Sequence, residues 1–277
     1  MPLVLLASLW VSSVSAHEFW IEPESYRLQP GDALLAATRT GTDFAGGSAP
    51  FVDAWFVSLQ LFNAVDDQMG GTAITGRAGD VPAIRVSATQ PGLNILTYHS
   101  SNSRIEYVGW KKFATFLHKE GVSWVIDQHR RRGLREHDII EVYTRYAKSL
   151  VQVGSIVPGD IDRRTGMPYE IVVNGNPYDQ SRRPTADLSV TVFRDDAPLA
   201  GAQVSIFHKP VGKSVSSARR TVLTDSKGQA RISFSGAGAY LLSAVDMTPA
   251  SESIASRSGA VWHSHWASVT YQLPAPE

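Results

Sequence analysis

The 277-residue chain has no cysteine. This excludes a disulfide framework, a thiolate metal site, a catalytic thiol and lipid attachment at cysteine, leaving imidazoles, carboxylates and a terminal amine as available metal ligands. There is no charge imbalance either, because 26 Lys and Arg offset 26 Asp and Glu. Neither nucleic acid nor an anionic membrane surface is therefore implied as a partner. Beyond the first segment, no apolar run reaches the roughly 20 residues that span a bilayer. Enzyme fingerprints are missing as well. "HEFWI" (17–21) begins like the zinc-protease HExxH but carries Ile21 where the second ligand belongs. "VGKS" (211–214) has Phe207 in place of the first glycine of a phosphate loop, and neither GxSxG nor GxGxxG occurs.

What is present begins at the amino terminus. "LVLLASLWV" has the length of a signal-peptide apolar region, and Val14-Ser15-Ala16 supplies the small residues of a cleavage site. Residues 1–16 are thus expected to be a signal peptide, with His17 the first residue of an exported, periplasmic protein.

The rest of the chain divides into compositional zones. Residues 17–109 contain β-branched and aromatic runs such as "WFVSLQLF", "AIRVSAT" and "NILTYHS", bounded by Gly, Pro, Asn or Asp, and predict an N-terminal β-sandwich. Residues 110–153 change period. Trp110, Phe113, Phe116 and Leu117, then Val122, Val125, Ile126 and His129, then Ile139, Ile140, Tyr143, Tyr146, Ala147 and Leu150 recur at helical spacing, predicting a helical insertion punctuated by Gly121 and Gly133. The basic run "HRRRGLREH" (129–137) reads as a solvated helix end. Residues 154–185 predict a linker with a short strand at "YEIVV"; Asp160 and Asp162 there read as a polar turn rather than a calcium site. Residues 186–277 are again all β, with Asp225-Ser226-Lys227-Gly228 a hairpin turn. The order "PLAGAQV…TDSKGQARI…GAYLLSA" resembles transthyretin-like sandwiches. The fold expected is mainly β: two β-sandwich domains, the C-terminal one transthyretin- or immunoglobulin-like, with a helical insertion between them.

Three stretches, "HEFWIEP" at 17–23, "FATFLHKEGVSWVI…YTRYAKSLVQVG" in the middle and "WASVTYQL" near the end, resemble the NikM-like group, domain of unknown function 4198. The resemblance implies a periplasmic metal-handling component of a membrane nickel or cobalt transport complex. Nickel proteins of that group are expected to carry histidine in second place, whereas here it comes first.

A histidine at a free amino terminus offers two nitrogens, the amine and imidazole Nδ1, and with a second imidazole forms a histidine brace; tetragonal nitrogen sites suit Cu(II) or Ni(II). The expected partners are His263 and His265 in "VWHSHWASV", which emerge on one face of a strand, with His99 as a further ligand. Glu18 is placed as a hydrogen-bond acceptor supporting a ligand imidazole. His118, His129 and His137 read as exposed helical residues, and His208 as a strand end. The expected function is binding of Ni, Co or Cu for uptake or delivery, without catalysis. The alternatives are a copper histidine-brace enzyme and a metal-free extracytoplasmic binding module.

Overall fold

The computed structural model describes residues 17–64, 71–86, 89–179 and 187–273. The expected signal peptide lies outside them, as do residues 180–185 of the expected linker and residue 186.

The first zone forms β1 (Glu18–Pro23), β2 (Arg27–Leu28), β3 (Leu34–Thr42), β4 (Ala45–Ala49), β5 (Phe56–Asn63), β6 (Thr72–Ala73), β7 (Ile84–Val86), β8 (Gly92–Ser100) and β9 (Ser103–Gly109). Helices α1 (Trp110–Lys119) and α2 (Trp124–Arg131) follow, then β10 (His137–Val153), β11 (Tyr169–Val173), β12 (Leu188–Arg194) and β13 (Ala197–Pro198). The chain continues through β14 (Gln203–Pro210), β15 (Arg220–Leu223), β16 (Gln229–Ile232), β17 (Gly238–Pro249), α3 (Glu252–Ser258) and β18 (Trp262–Leu273).

One ten-stranded sheet organises the molecule, in the order β15-β14-β17-β18-β10-β8-β5-β6, with β2 and β9 also paired to β10. Both of its faces are covered. Alternate residues of β10 and β18 point to opposite sides. Tyr146, Leu150, Ala267, Val269 and Tyr271 pack on one face against Tyr169, Ile171, Val190 and Val192 of the sheet β11-β12-β13 and β16. On the other face, Ala147 and Val151 pack against Phe19, Ile21, Leu34 and Ile84 of the sheet β1-β3-β4 and β7. Further along that second face, Trp262 and Trp266 receive Phe113, Phe116, Leu117 and Val125 of the two helices. Each helix stops at a glycine in the left-handed region, Gly121 (φ +76°) and Gly133 (φ +64°), a conformation that costs glycine no Cβ clash.

The expected helix over 139–150 is a strand. Residues 137–153 form β10, the longest strand, and it lies between two covering layers. A strand buried on both faces carries apolar residues without clean alternation, so spacings of three and four arise by chance within a continuous apolar run. The helical character of the middle zone ends at Arg131. β10 instead ties the two halves together, pairing in parallel with β18 along Glu141–Ser149 and antiparallel with β9 and β8.

Two smaller expectations also change. Asp225–Gly228 does turn, with Asp225 Oδ1 accepting from the amides of Lys227 and Gln229 at 2.8 and 3.0 Å. It joins strands of different sheets, however, since β15 pairs with β14 and β16 with β12. Asp160 and Asp162 are buried rather than in a solvated turn. Lys148 of β10, fully buried, holds Asp162 at 3.1 Å and Glu170 at 2.6 Å, while Asp160 accepts from Gln152 Nε2 at 2.9 Å. Buried charges persist only when paired in this way.

Candidate functional site

The alternation of β18 places His263 and His265 on the same face as Ala267, Val269 and Tyr271, at the end of that apolar row. Their ring centroids are 4.0 Å apart. In β10, Val142 and Thr144 stand beside His263 and His265, and in β17 Thr248 and Asp246 do so. Antiparallel pairing of β8 with β10 sets Leu150 opposite Ile95, which carries His99 to the level of Tyr146. The His99 and Tyr146 rings lie 4.7 Å apart, and Tyr146 stacks on His265 at 6.1 Å. His99 and His265 therefore both touch Tyr146, and His263 adjoins His265.

The hydrogen bonds fix the tautomers of two of these rings. Arg194 reaches in from β12, its Nη2 lying 3.1 Å from His265 Nε2. A guanidinium can only donate, so His265 Nε2 holds the lone pair and Nδ1–H donates to Tyr146 Oη at 3.3 Å. Thr144 donates its single hydroxyl proton to Asn102 Oδ1 at 2.8 Å. The 2.8 Å contact between Thr144 Oγ1 and His263 Nε2 is then a bond donated by the imidazole, which leaves the Nδ1 lone pair of His263 unengaged. The His99 ring accepts and donates no hydrogen bond among the described residues. Arg194 is itself held by Asp246 Oδ2 at 3.2 Å and Asp195 Oδ1 at 3.3 Å.

Burial sets the protonation of the cluster. It pushes His263 down from 6.5 to about 4, helped by the Arg194 charge. It pushes His265 down to about 2, with the neighbouring His263, Arg194 and His99 adding to the effect. His99 is lowered by burial as well. All three rings are neutral at neutral pH, the state in which an imidazole ligates a metal.

His17 lies elsewhere. Its carbonyl accepts a long 3.4 Å bond from Arg145 Nη2, and Arg145 projects from the face of β10 opposite Thr144 and Tyr146. The ten-stranded sheet thus stands between the His17 backbone and the other three histidines. Glu18 does not support an imidazole: it is buried, with Oε1 paired to Lys119 of α1 at 3.1 Å. His129 departs from the expected exposed position. It is wholly buried, accepting from Trp262 Nε1 at 3.0 Å and donating through Nε2 to the Arg135 carbonyl at 3.0 Å. Both ring nitrogens are thereby satisfied in a structural role. Among the described residues no group of three or more His, Asp or Glu side chains is arranged to hold a metal ion.

Sequence reasoning missed Arg194, Thr144 and Asp246 as members of the cluster. Arg194 sits 71 residues from His265, and nothing in "LSVTVFRDD" distinguishes it from a strand-end arginine. Thr144 and Tyr146 had a local signal, the "YTRYAKSL" alternation, which the helical reading of that segment obscured.

Residues 14–248 match the model of the family described as Domain of unknown function (DUF4198), and the chain belongs to that family. No curated protein matches it. Among solved structures it is similar to the D0-D1 domain of Intimin, at 11% identity over 91% of this chain and 96% of that one, with a TM-score of 0.21. It is also similar to Escherichia coli alpha-2-macroglobulin activated by porcine elastase, at 9% identity, 94% of this chain, 20% of that one and a TM-score of 0.23. A tetra-tandem repeat from the extending region of a large adhesion protein gives 9% identity, 94% and 50% coverage and a TM-score of 0.23. The chain thus spans a fifth and a half of the length of those last two, and TM-scores this low carry no functional inference.

Proposed function

We propose that this is a periplasmic transition-metal-binding protein that buffers or delivers Ni, Co or Cu, serving a membrane transport complex as the NikM-like resemblance suggests. The observation that supports this reading is the gathering of His99, His263 and His265 on one face of the central sheet, kept neutral by burial, with His263 Nδ1 presenting a free lone pair. His263 offers its Nδ1 at once, while His99 stands on the other side of Tyr146 from the His263–His265 pair. His265 joins His263 when Arg194 swings away from its Nε2, which makes Arg194 a gate and suits a metal that is bound and released. An ion at these nitrogens would be held as cargo, and the chain itself supplies neutral imidazoles and a removable positive charge. Of the ligand set expected from the sequence, His99, His263 and His265 remain in this reading and His17 drops out.

The test is native and denatured mass of the purified full-length protein after loading with Ni, Co or Cu. One ion per chain is expected for the native protein, reduced at least tenfold in occupancy by His263→Ala together with His265→Ala. Arg194→Gln, which removes a cation from the site, is expected to tighten binding. Retention of the ion in the double variant with loss in His17→Ala would transfer the site to a terminal brace.

The contact between Arg194 and His265 Nε2 also favours a second reading, a metal-free binding module in which the imidazoles anchor an arginine. Failure of the wild-type chain to take up any of the three ions decides for it.

A further inference from the structure

The face of the central sheet opposite the histidine cluster carries a cavity of about 190 Å3, formed where the sheet β1-β3-β4 and β7 covers it. Its walls are part aromatic and part hydroxylic: Phe19, Phe51, Phe56 and Tyr98 line it together with Trp55, whose side chain is half exposed, and with Thr and Ser residues. Arg145 of β10 also lines it. The guanidinium is held between the rings of Phe19, 5.3 Å away, and Tyr143, 4.8 Å away. Among the described residues its one polar side-chain contact is the 3.4 Å bond to the His17 carbonyl. Among the described residues, no carboxylate comes within ion-pairing distance of it.

This is an unusual position for a cation. Arg145 is partly buried, and a guanidinium withdrawn from water without an anionic partner loses hydration that nothing compensates. Burial lowers the pKa of Arg145 and no carboxylate counters it, the opposing influences being only the neighbouring Tyr143 and Tyr98. Elsewhere in this molecule inward-facing cations do have their carboxylates: Lys148 has Asp162 and Glu170, Arg219 has Glu120, and Arg194 has Asp246. Arg145 departs from that pattern, and it does so at the wall of a cavity.

We infer that this cavity binds a small aromatic carboxylate, its ring between Phe51, Phe56 and Tyr98 and its carboxylate on the Arg145 guanidinium. The size agrees, since a cavity of about 150 Å3 accommodates benzene and the space here adds room for one carboxylate. The chemistry agrees too. A planar guanidinium recognises a carboxylate through two parallel hydrogen bonds, and aromatic walls favour the edges and faces of a ring. The site is independent of the proposed metal cluster, being on the other side of the sheet and built from none of its residues.

The experiment is calorimetric titration of the full-length, chelator-treated protein with benzoate, with uncharged benzamide as the control. Benzoate is expected to saturate a single site with a Kd of about 1 mM or tighter, and benzamide to bind at least tenfold more weakly. Arg145→Gln should weaken benzoate at least tenfold while leaving benzamide unchanged. Ala49→Phe keeps Arg145 and places a ring in the cavity from β4, and should abolish binding of both. It also decides the question if the arginine variant does not fold. Absence of saturable benzoate binding, equal affinity for benzamide, or undiminished binding in Ala49→Phe would each overturn the assignment.

Discussion

Glu141 shows how much a single side chain on this sheet can be worth. It is buried beneath the helices, accepts a hydrogen bond from Ser264, and among the described residues has no cation to balance it. Burial raises its pKa from 4.5 to about 7, against the hydrogen bond from Ser264. The folded protein therefore holds this proton more tightly than the unfolded chain does. Its contribution to stability is complete below about pH 4.5 and is lost as the pH rises through 7, by on the order of 3 kcal/mol. The imidazoles of the cluster act in the opposite sense. With folded values of about 4 for His263 and about 2 for His265, their contribution is complete above pH 6.5 and is lost as the pH falls below it. Glu141→Gln preserves the acceptor for Ser264 and removes only the titration. Denaturant unfolding at a series of pH values should find this variant more stable than wild type at pH 8, the difference shrinking to near zero by pH 4.5. A difference that does not vary with pH would mean that Glu141 titrates alike in the folded and unfolded chain, its pKa not raised by burial.

At the level of the element, β18 was legible in the sequence and β10 was not. In "VWHSHWASVTYQL" small and polar residues separate the large ones, so the period of two is visible, and the two faces it predicts are the two observed. "HDIIEVYTRYAKSLVQV" has apolar or long side chains at nearly every position because both of its faces are covered, and this erases the period. The same blur hid the site. The spacing in that segment places Thr144 and Tyr146, which hold the histidines, on a helix, and the opposite-face relation of His17 to His263 follows only once β10 is known to lie between β18 and β8. The most consequential residue on β10 is Lys148, since its ammonium is the shared partner of two carboxylates from different stretches of chain. Lys148→Met would leave Asp162 and Glu170 facing each other without a cation, at a cost of about 3 to 5 kcal/mol in unfolding free energy. Adding Asp162→Asn and Glu170→Gln to it should restore a large part of that loss. A loss that the added substitutions leave unchanged would assign Lys148 a packing role through its methylenes.

At the scale of the whole molecule, the mainly β, sandwich-type fold expected from the sequence is the one observed, and its hydrogen bonding runs without a break from β15 to β6. The strand that makes it continuous comes from the segment expected to separate the domains. Among the described residues β18 has only β17 and β10 as neighbours in the sheet, and its second face is covered by α1 and α2 through Trp262 and Trp266. The carboxy-terminal portion consequently depends on residues 110–153 for a strand, for its helical cover and for the Thr144 and Tyr146 contacts to the histidines. β12 likewise loses β11 if the chain is cut after the linker. An isolated fragment of residues 187–277 would expose one long unpaired edge along β18 and two large indole faces, a combination that promotes association between chains. That fragment is expected to aggregate or to give the poorly dispersed amide spectrum of an unfolded chain. The intact protein should unfold in one transition, with tryptophan fluorescence and far-ultraviolet circular dichroism coincident in urea. Two separated transitions, or a well-dispersed spectrum from the fragment, would show that β10 joins two bodies that are already stable apart. In that case the histidine cluster, which draws His99 from one half and His263 and His265 from the other, would be a site made between domains and opened by their movement.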